Sequence, residues 1–345
     1  MATMRCAVVR EHGGFDKLLL EERPVPAPGP GQVRVRMQAV GLNHLDTWVR
    51  RGVPGHTFPL PLILGSDGCG VVDALGPGAS GVAEGDPVVI QPGVSCGACE
   101  PCQTGLDQLC RGYHILGESG DGTAAEFVCV PVANVAPKPK SLSVAQAATV
   151  CLVFQTAWNM LARRAELKAG ETVLVHAGLS GVGSAAVQIA NVLGARVIAT
   201  AGGPEKCARV AALGAHHVID YRSDDFVAEV RKLTGKAGVQ VVFEHVGKET
   251  FDGSLKCLAR GGRLVTCGAT TGGDVAISLH AVFFKSLSIL GSTMGSKGDL
   301  RALLRLFDQG RLRAVLDRTL PFGQVGEAHR LLEEREALGK LVLMV

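Results

Sequence analysis

Four cysteines, Cys96, Cys99, Cys102 and Cys110, recur at the spacing C-x2-C-x2-C-x7-C. Thiolates so spaced can close a tetrahedral shell around Zn2+, with Gly97, Pro101 and Gly105 shaping the turn between them. A complete four-cysteine shell leaves no coordination position for water or substrate, so such an ion is structural, one per chain. A [4Fe–4S] cluster also takes four cysteines and stands as the alternative. The chain carries 11 cysteines in all, an odd number. The remaining thiols sit mostly in apolar runs and read as buried side chains rather than as a disulfide framework.

A second constellation is Gly178-Leu179-Ser180-Gly181-Val182-Gly183, set between TVLVHA and SAAVQIANVLG. It reads as a strand, a tight turn and a helix. Gly181 and Gly183 let the backbone approach a pyrophosphate, whose charge the helix N-terminus favours. The following strand, ARVIATA, ends at Ala201 and runs into Gly202-Gly203, where an NAD site usually carries an acidic residue. With no carboxylate there to repel a 2′-phosphate, and Lys206 close by to attract one, NADP(H) is expected ahead of NAD(H).

The elements that must position these groups follow from pattern. Over the first 150 of 345 residues, short Val-rich runs are broken by Gly and Pro, the signature of a β-rich domain. Ser143 is a plausible N-cap for a helical segment over 143–167. From Glu171 onward strand-like and helix-like segments alternate, which predicts a doubly wound parallel sheet. Domains are expected at 1–150, containing a cysteine lobe at about 93–113, and at 151–291. Residues 292–345 are expected to return to the first domain.

Composition excludes other classes. Apolar residues are 47% of the chain and charged residues 19%, too apolar for a disordered chain. No stretch approaches a membrane span, and a net charge of +3 gives no nucleic-acid surface. The opening MATMRCAVVREHGGF carries charge where an export signal needs an apolar run, so a cytoplasmic protein is expected.

In this order of motifs the chain resembles the medium-chain dehydrogenase/reductase superfamily along nearly its whole length. The resemblance implies an α/β protein: a GroES-like catalytic domain, a Rossmann domain and a cleft between them. The cysteine lobe is similar to the structural zinc lobe of the alcohol dehydrogenases. Those enzymes hold a second, catalytic zinc, but the matching positions here are Asn43, Ser66 (in Gly65-Ser66-Asp67) and Leu152. Leu45 stands where their proton-relay hydroxyl would be, and Cys151 is one place out of register.

Asn43 with Gly65-Ser66-Asp67 looks instead like the zinc-free quinone oxidoreductase and enoyl reductase branch. That resemblance implies Lys206 and Tyr221 at the adenosine 2′-phosphate, and His44 and Lys340 at the pyrophosphate. It also places Thr156, Ser180, Val182, Val246, Gly268 and Ala269 along the cofactor. Asn43 and Ser66 become candidate donors to an oxyanion.

The expected activity is NADPH-dependent reduction of an α,β-unsaturated carbonyl compound, with enoyl thioesters ahead of quinones and enones. The alternatives are an alcohol dehydrogenase with a displaced metal site and a non-catalytic NADPH-binding protein. A homodimer or homotetramer is expected from the family.

Overall fold

The computed structural model describes residues 2–345. The chain divides into two compact units, residues 1–152 with 296–345, and residues 153–295.

In the first unit the strand Gln32–Gly41 alternates Val33, Val35 and Met37 toward the core with Arg34 and Arg36 away from it. This period of two is what a half-covered strand requires. It is the hub of a seven-stranded sheet, pairing antiparallel with Asp67–Leu75, Phe127–Pro131 and Lys340–Met344. The register sets Gly41 opposite both Asp67 and Val342. Three distant stretches of chain therefore end side by side, next to Leu42-Asn43. The helix His44–Arg51 leaves from that point, with the Asn43 N–H donating to the Asp46 carboxylate at 2.7 Å.

The second unit holds six parallel strands. Their spatial order is His217–Asp220, Arg196–Ala201, Thr172–Val175, Val239–Glu244, Leu258–Thr266 and Ser288–Gly291. In chain order this is 3-2-1-4-5-6, the doubly wound arrangement whose ligands bind at the carboxyl ends of the strands. The inner strands are buried almost without interruption, because helices cover both faces of a parallel sheet. Leu174, Ile198, Val242 and Leu264 form its core.

Ser143 caps a helix as expected: its hydroxyl accepts from the Gln146 N–H, and the Gln146 side chain accepts in return from Ser143. That helix stops at Ala147, however, and a separate one begins at Cys151. Among the described residues no helix is long and apolar enough to cross a membrane.

Candidate functional site

The four lobe cysteines converge. Their sulfurs all lie within 4.8 Å of one another, with Cys99–Cys102 at 3.5 Å and Cys96–Cys102 at 3.9 Å. A tetrahedral zinc with bonds of about 2.3 Å separates its sulfurs by about 3.8 Å, so the donor set fits that ion. A four-iron cube holds its cysteine sulfurs farther apart, because each binds a different iron. Backbone N–H groups of Ala98 and Cys99 pull the Cys96 thiol down to about 6, toward the ligating thiolate. The lobe is tied down by Lys297, whose ammonium reaches Ser95 Oγ at 2.8 Å and Asp107 at 3.1 Å.

Asn43 and the Gly65-Ser66-Asp67 segment, which the resemblance matches to catalytic-metal ligands, stand at a closed hydrogen-bonded cluster. Lys340 Nζ donates to the Leu42 carbonyl, to Asn43 Oδ1 and to Asp67 Oδ2, which engages all three of its protons. Asn43 Nδ2 donates to the same Asp67 oxygen at 3.0 Å, and Asp67 Oδ1 accepts the Leu152 N–H at 2.8 Å. Asp46 accepts from the backbone of Asn43 and Gly65. All four side chains are buried. Burial pushes the Asp46 carboxyl up to about 6 and pulls the Lys340 ammonium down from its ordinary range.

The structure places three of the expected site residues in internal hydrogen bonds. The resemblance puts Lys340 at a pyrophosphate, but its ammonium is fully spent inside this cluster. It makes Ser66 a donor to an oxyanion, but Ser66 has no exposed surface and its hydroxyl donates to the Leu116 carbonyl at 2.8 Å. Asn43 is the other candidate donor, and its amide is held by Asp67 and Lys340. In each case a polar group buried away from water has taken an internal partner, as its desolvation demands. Arg50 is also buried: it pairs with Glu333 at 2.7 Å and lies over the Phe15 ring.

In the second unit the glycine turn is built for close approach. A Cβ on Gly183 would sit 2.3 Å from the Ala177 carbonyl oxygen. Ser180 Oγ accepts the Gly183 N–H at 3.0 Å and caps the helix Gly181–Val192, whose first turn includes Val182. Gly202 lies under the Tyr221 hydroxyl, which a Cβ there would approach to 2.5 Å. These residues fit a dinucleotide.

Lys206 lies in the first turns of the helix Pro204–Ala212, half-buried. Thr156 is buried and its hydroxyl contacts the Met294 sulfur. Val246 follows the strand Val239–Glu244, while Gly268 and Ala269 line a cavity of about 310 Å³ with Gly247, Phe251, Cys267 and Ser292. His44 opens the helix of the first unit, outside this set.

Sequence reasoning misses Arg222. Its guanidinium lies beside Gly202 and Gly203, and the backbone N–H groups of Arg222 and Gly203 both donate to Asp220 Oδ1. The signal is present in Tyr221-Arg222, one residue beyond the position singled out.

Comparison with known proteins gives the same class. Residues 29–140 match the family described as alcohol dehydrogenase GroES-like domain, and residues 181–309 match zinc-binding dehydrogenase. A quinone oxidoreductase from Homo sapiens is 30% identical over 99% of this chain and 98% of its own. The crystal structure of an NAD-dependent alcohol dehydrogenase is 50% identical, with a TM-score of 0.95, covering 99% of this chain and 100% of that one. A crotonyl-CoA carboxylase/reductase in complex with NADP is 27% identical, with a TM-score of 0.91, covering 99% and 95%.

A GroES-like domain joined to a Rossmann-type sheet defines a pyridine-nucleotide oxidoreductase. The chain belongs to the medium-chain dehydrogenase/reductase superfamily and is an NAD(P)H-dependent enzyme of that group.

Proposed function

We propose that this enzyme uses NADPH to reduce the carbon–carbon double bond of an α,β-unsaturated carbonyl compound, with enoyl thioesters ahead of quinones and enones. The observation that carries the reading is the Asn43–Asp67–Lys340 cluster. Its side chains, at and beside the positions that the resemblance matches to catalytic-metal ligands, satisfy one another, and the Lys340 ammonium sits against the Asp67 carboxylate. Polarising an alcohol or a simple carbonyl takes a Lewis acid or a proton donor at the oxygen, whereas a conjugated acceptor is already polarised by its own π-system. When bound, the dinucleotide would supply the hydride to the β-carbon, and solvent water would supply the proton that the α-carbon takes. The chain's own part is to bind and orient it through the Gly183 turn and the Val246–Gly247 and Gly268–Ala269 segments.

The alcohol dehydrogenase reading draws on the 50% identical structure. Its displaced metal would need Cys151 or a histidine, and the Cys151 thiol is fully buried and pushed well above its usual range by burial and by Asp67. The test is an NADPH-oxidation screen across crotonyl-type thioesters, quinones, enones and aldehydes, with metal content read on the same sample. About one zinc per chain and turnover of conjugated acceptors are expected, from the closed four-cysteine shell. About two zincs with vigorous alcohol oxidation overturn the reading. NADPH binding without turnover anywhere in the panel would mark a binding protein.

Cofactor choice has its own test. Arg222→Ala is expected to raise the KM for NADPH about tenfold and leave that for NADH unchanged, as loss of one charge-assisted phosphate contact implies. Equal effects on both cofactors would remove Arg222 from that role.

A homodimer fits the free edge of the parallel sheet. Among the described residues strand Ser288–Gly291 pairs on one side only, and in the helix Leu279–Lys285 that precedes it Leu279, Phe283 and Phe284 are 68%, 59% and 66% exposed. Apolar exposure along an unpaired edge is normally covered. Replacing Phe283 and Phe284 with Asp should convert the sedimenting species to monomer, and a monomeric parent protein would refute the assignment.

A further inference from the structure

A buried polar chain in the second unit has no part in the site as described so far. Glu244, the last residue of its strand, has no exposed surface, yet its carboxylate receives four donors. Oε1 accepts the N–H groups of Val246 and Gly247 at 2.7 and 3.1 Å, Thr250 Oγ1 donates at 2.9 Å, and Ser254 Oγ donates to Oε2 at 2.7 Å. Behind Ser254, its Oγ lies 2.9 Å from His176 Nε2. His176 Nδ1 lies 3.3 Å from Thr200 Oγ1, and Thr200 Oγ1 accepts the Ala177 N–H at 3.1 Å. His176, Thr200 and Ser254 are also buried.

The proton positions follow from counting donors. Ser254 has one hydroxyl proton, and it is donated in the hydrogen bond to the ionised Glu244 carboxylate. Ser254 Oγ can then only accept from His176, so Nε2 carries the imidazole proton. Burial keeps His176 neutral, so Nδ1 is bare and accepts the Thr200 hydroxyl proton. The result is a one-directional chain from the Ala177 N–H to the Glu244 carboxylate.

Its two ends are the two turns at the carboxyl edge of the sheet. Ala177 opens the glycine turn and holds a left-handed φ of 44°, a conformation that costs a non-glycine residue energy unless its surroundings enforce it. Val246-Gly247 forms the other turn, bordering the cavity lined by Gly268 and Ala269.

We propose that Glu244 is a positioning residue for the dinucleotide: acting through Ser254, His176 and Thr200, it fixes the Ala177 turn and the Val246–Gly247 turn in one mutual arrangement. The inference rests on dinucleotide binding by this unit and is independent of which acceptor is reduced.

Glu244→Gln tests it. The amide oxygen can keep the two backbone donors, but the new NH2 faces Ser254 Oγ. The Ser254 proton must then turn to His176, and the imidazole proton must move to Nδ1. Imidazole 15N spectra of the full-length protein should report Nε2–H in the parent and Nδ1–H in the variant. NADPH titrated by its own fluorescence should bind about tenfold more weakly, the worth of about one net hydrogen bond.

An unchanged tautomer overturns the proposal, and so does a switched tautomer with NADPH affinity within about twofold of the parent, since that is well under one hydrogen bond. If Glu244→Gln fails to fold, Thr200→Val cuts the other end of the chain, and Thr200→Ser should restore NADPH affinity. Equal affinity of the Val and Ser variants overturns the proposal as well. A parent protein that binds no NADPH fails the cofactor assignment itself, a distinct outcome.

Discussion

Lys340→Met is expected to destabilise the protein by about 3–5 kcal/mol, the usual cost of removing one partner from a buried ion pair. The methionine fills most of the space, so the loss is electrostatic. Asp67, with no exposed surface, would have no cation beside it, and Asn43 Oδ1 and the Leu42 carbonyl would lose their donor. Urea denaturation should show a lower midpoint with an unchanged slope. Adding Asp67→Asn removes the orphaned charge and should recover most of the loss. A single variant within about 1 kcal/mol of the parent would mean that the cluster is not charged as described.

The same variant carries a pH signature. Asp46 is held up at about 6 against an ordinary 3.8, and Lys340 is one of the groups drawing it down. An acid whose folded value is raised contributes stability that is complete below about pH 3.8 and is lost as pH rises through about 6. The parent should therefore gain stability from this site on acidification across that window. In Lys340→Met the window should extend upward, because the cation that lowered Asp46 is gone.

Cys102→Ser is expected to abolish zinc binding and to lower the first thermal transition by about 10 °C, the equivalent of a few kcal/mol in a unit of this size. The serine hydroxyl is a poor ligand, and three thiolates held within 4.8 Å without a cation repel one another. The loss should be confined to the lobe. The sheet core around Val33, Val35 and Ile90 contains none of the four ligands, so that core should remain folded. Metal analysis with scanning calorimetry decides the matter. Full zinc content in the variant, or an unchanged transition, would show that the cysteines hold no structural ion.

The zinc lobe was legible in the sequence because its four ligands fall within 15 residues of one loop, where spacing alone limits the geometry. The doubly wound sheet was legible because each strand–turn–helix unit is local and its apolar runs must be covered on both faces. The glycine turn was legible for the same reason: its contacts, such as Ser180 to Gly183, lie three residues apart.

Protonation and availability were settled only by tertiary structure. Lys340 and Asn43 are 297 positions apart, and the strand register that brings Asp67 and Val342 opposite Gly41 decides that the ammonium faces inward. Ser66 is sealed by the Leu116 carbonyl, 50 residues on, and Arg50 is buried by Glu333, 283 residues on. Glu244 ends a strand, and only the fold lines up Ser254, His176 and Thr200 behind it. Residue type and spacing determined which groups this chain possesses and which ions and cofactors it can take. Desolvation on folding decided which of those groups keep a free proton, because a buried polar atom must bind whatever the fold brings beside it.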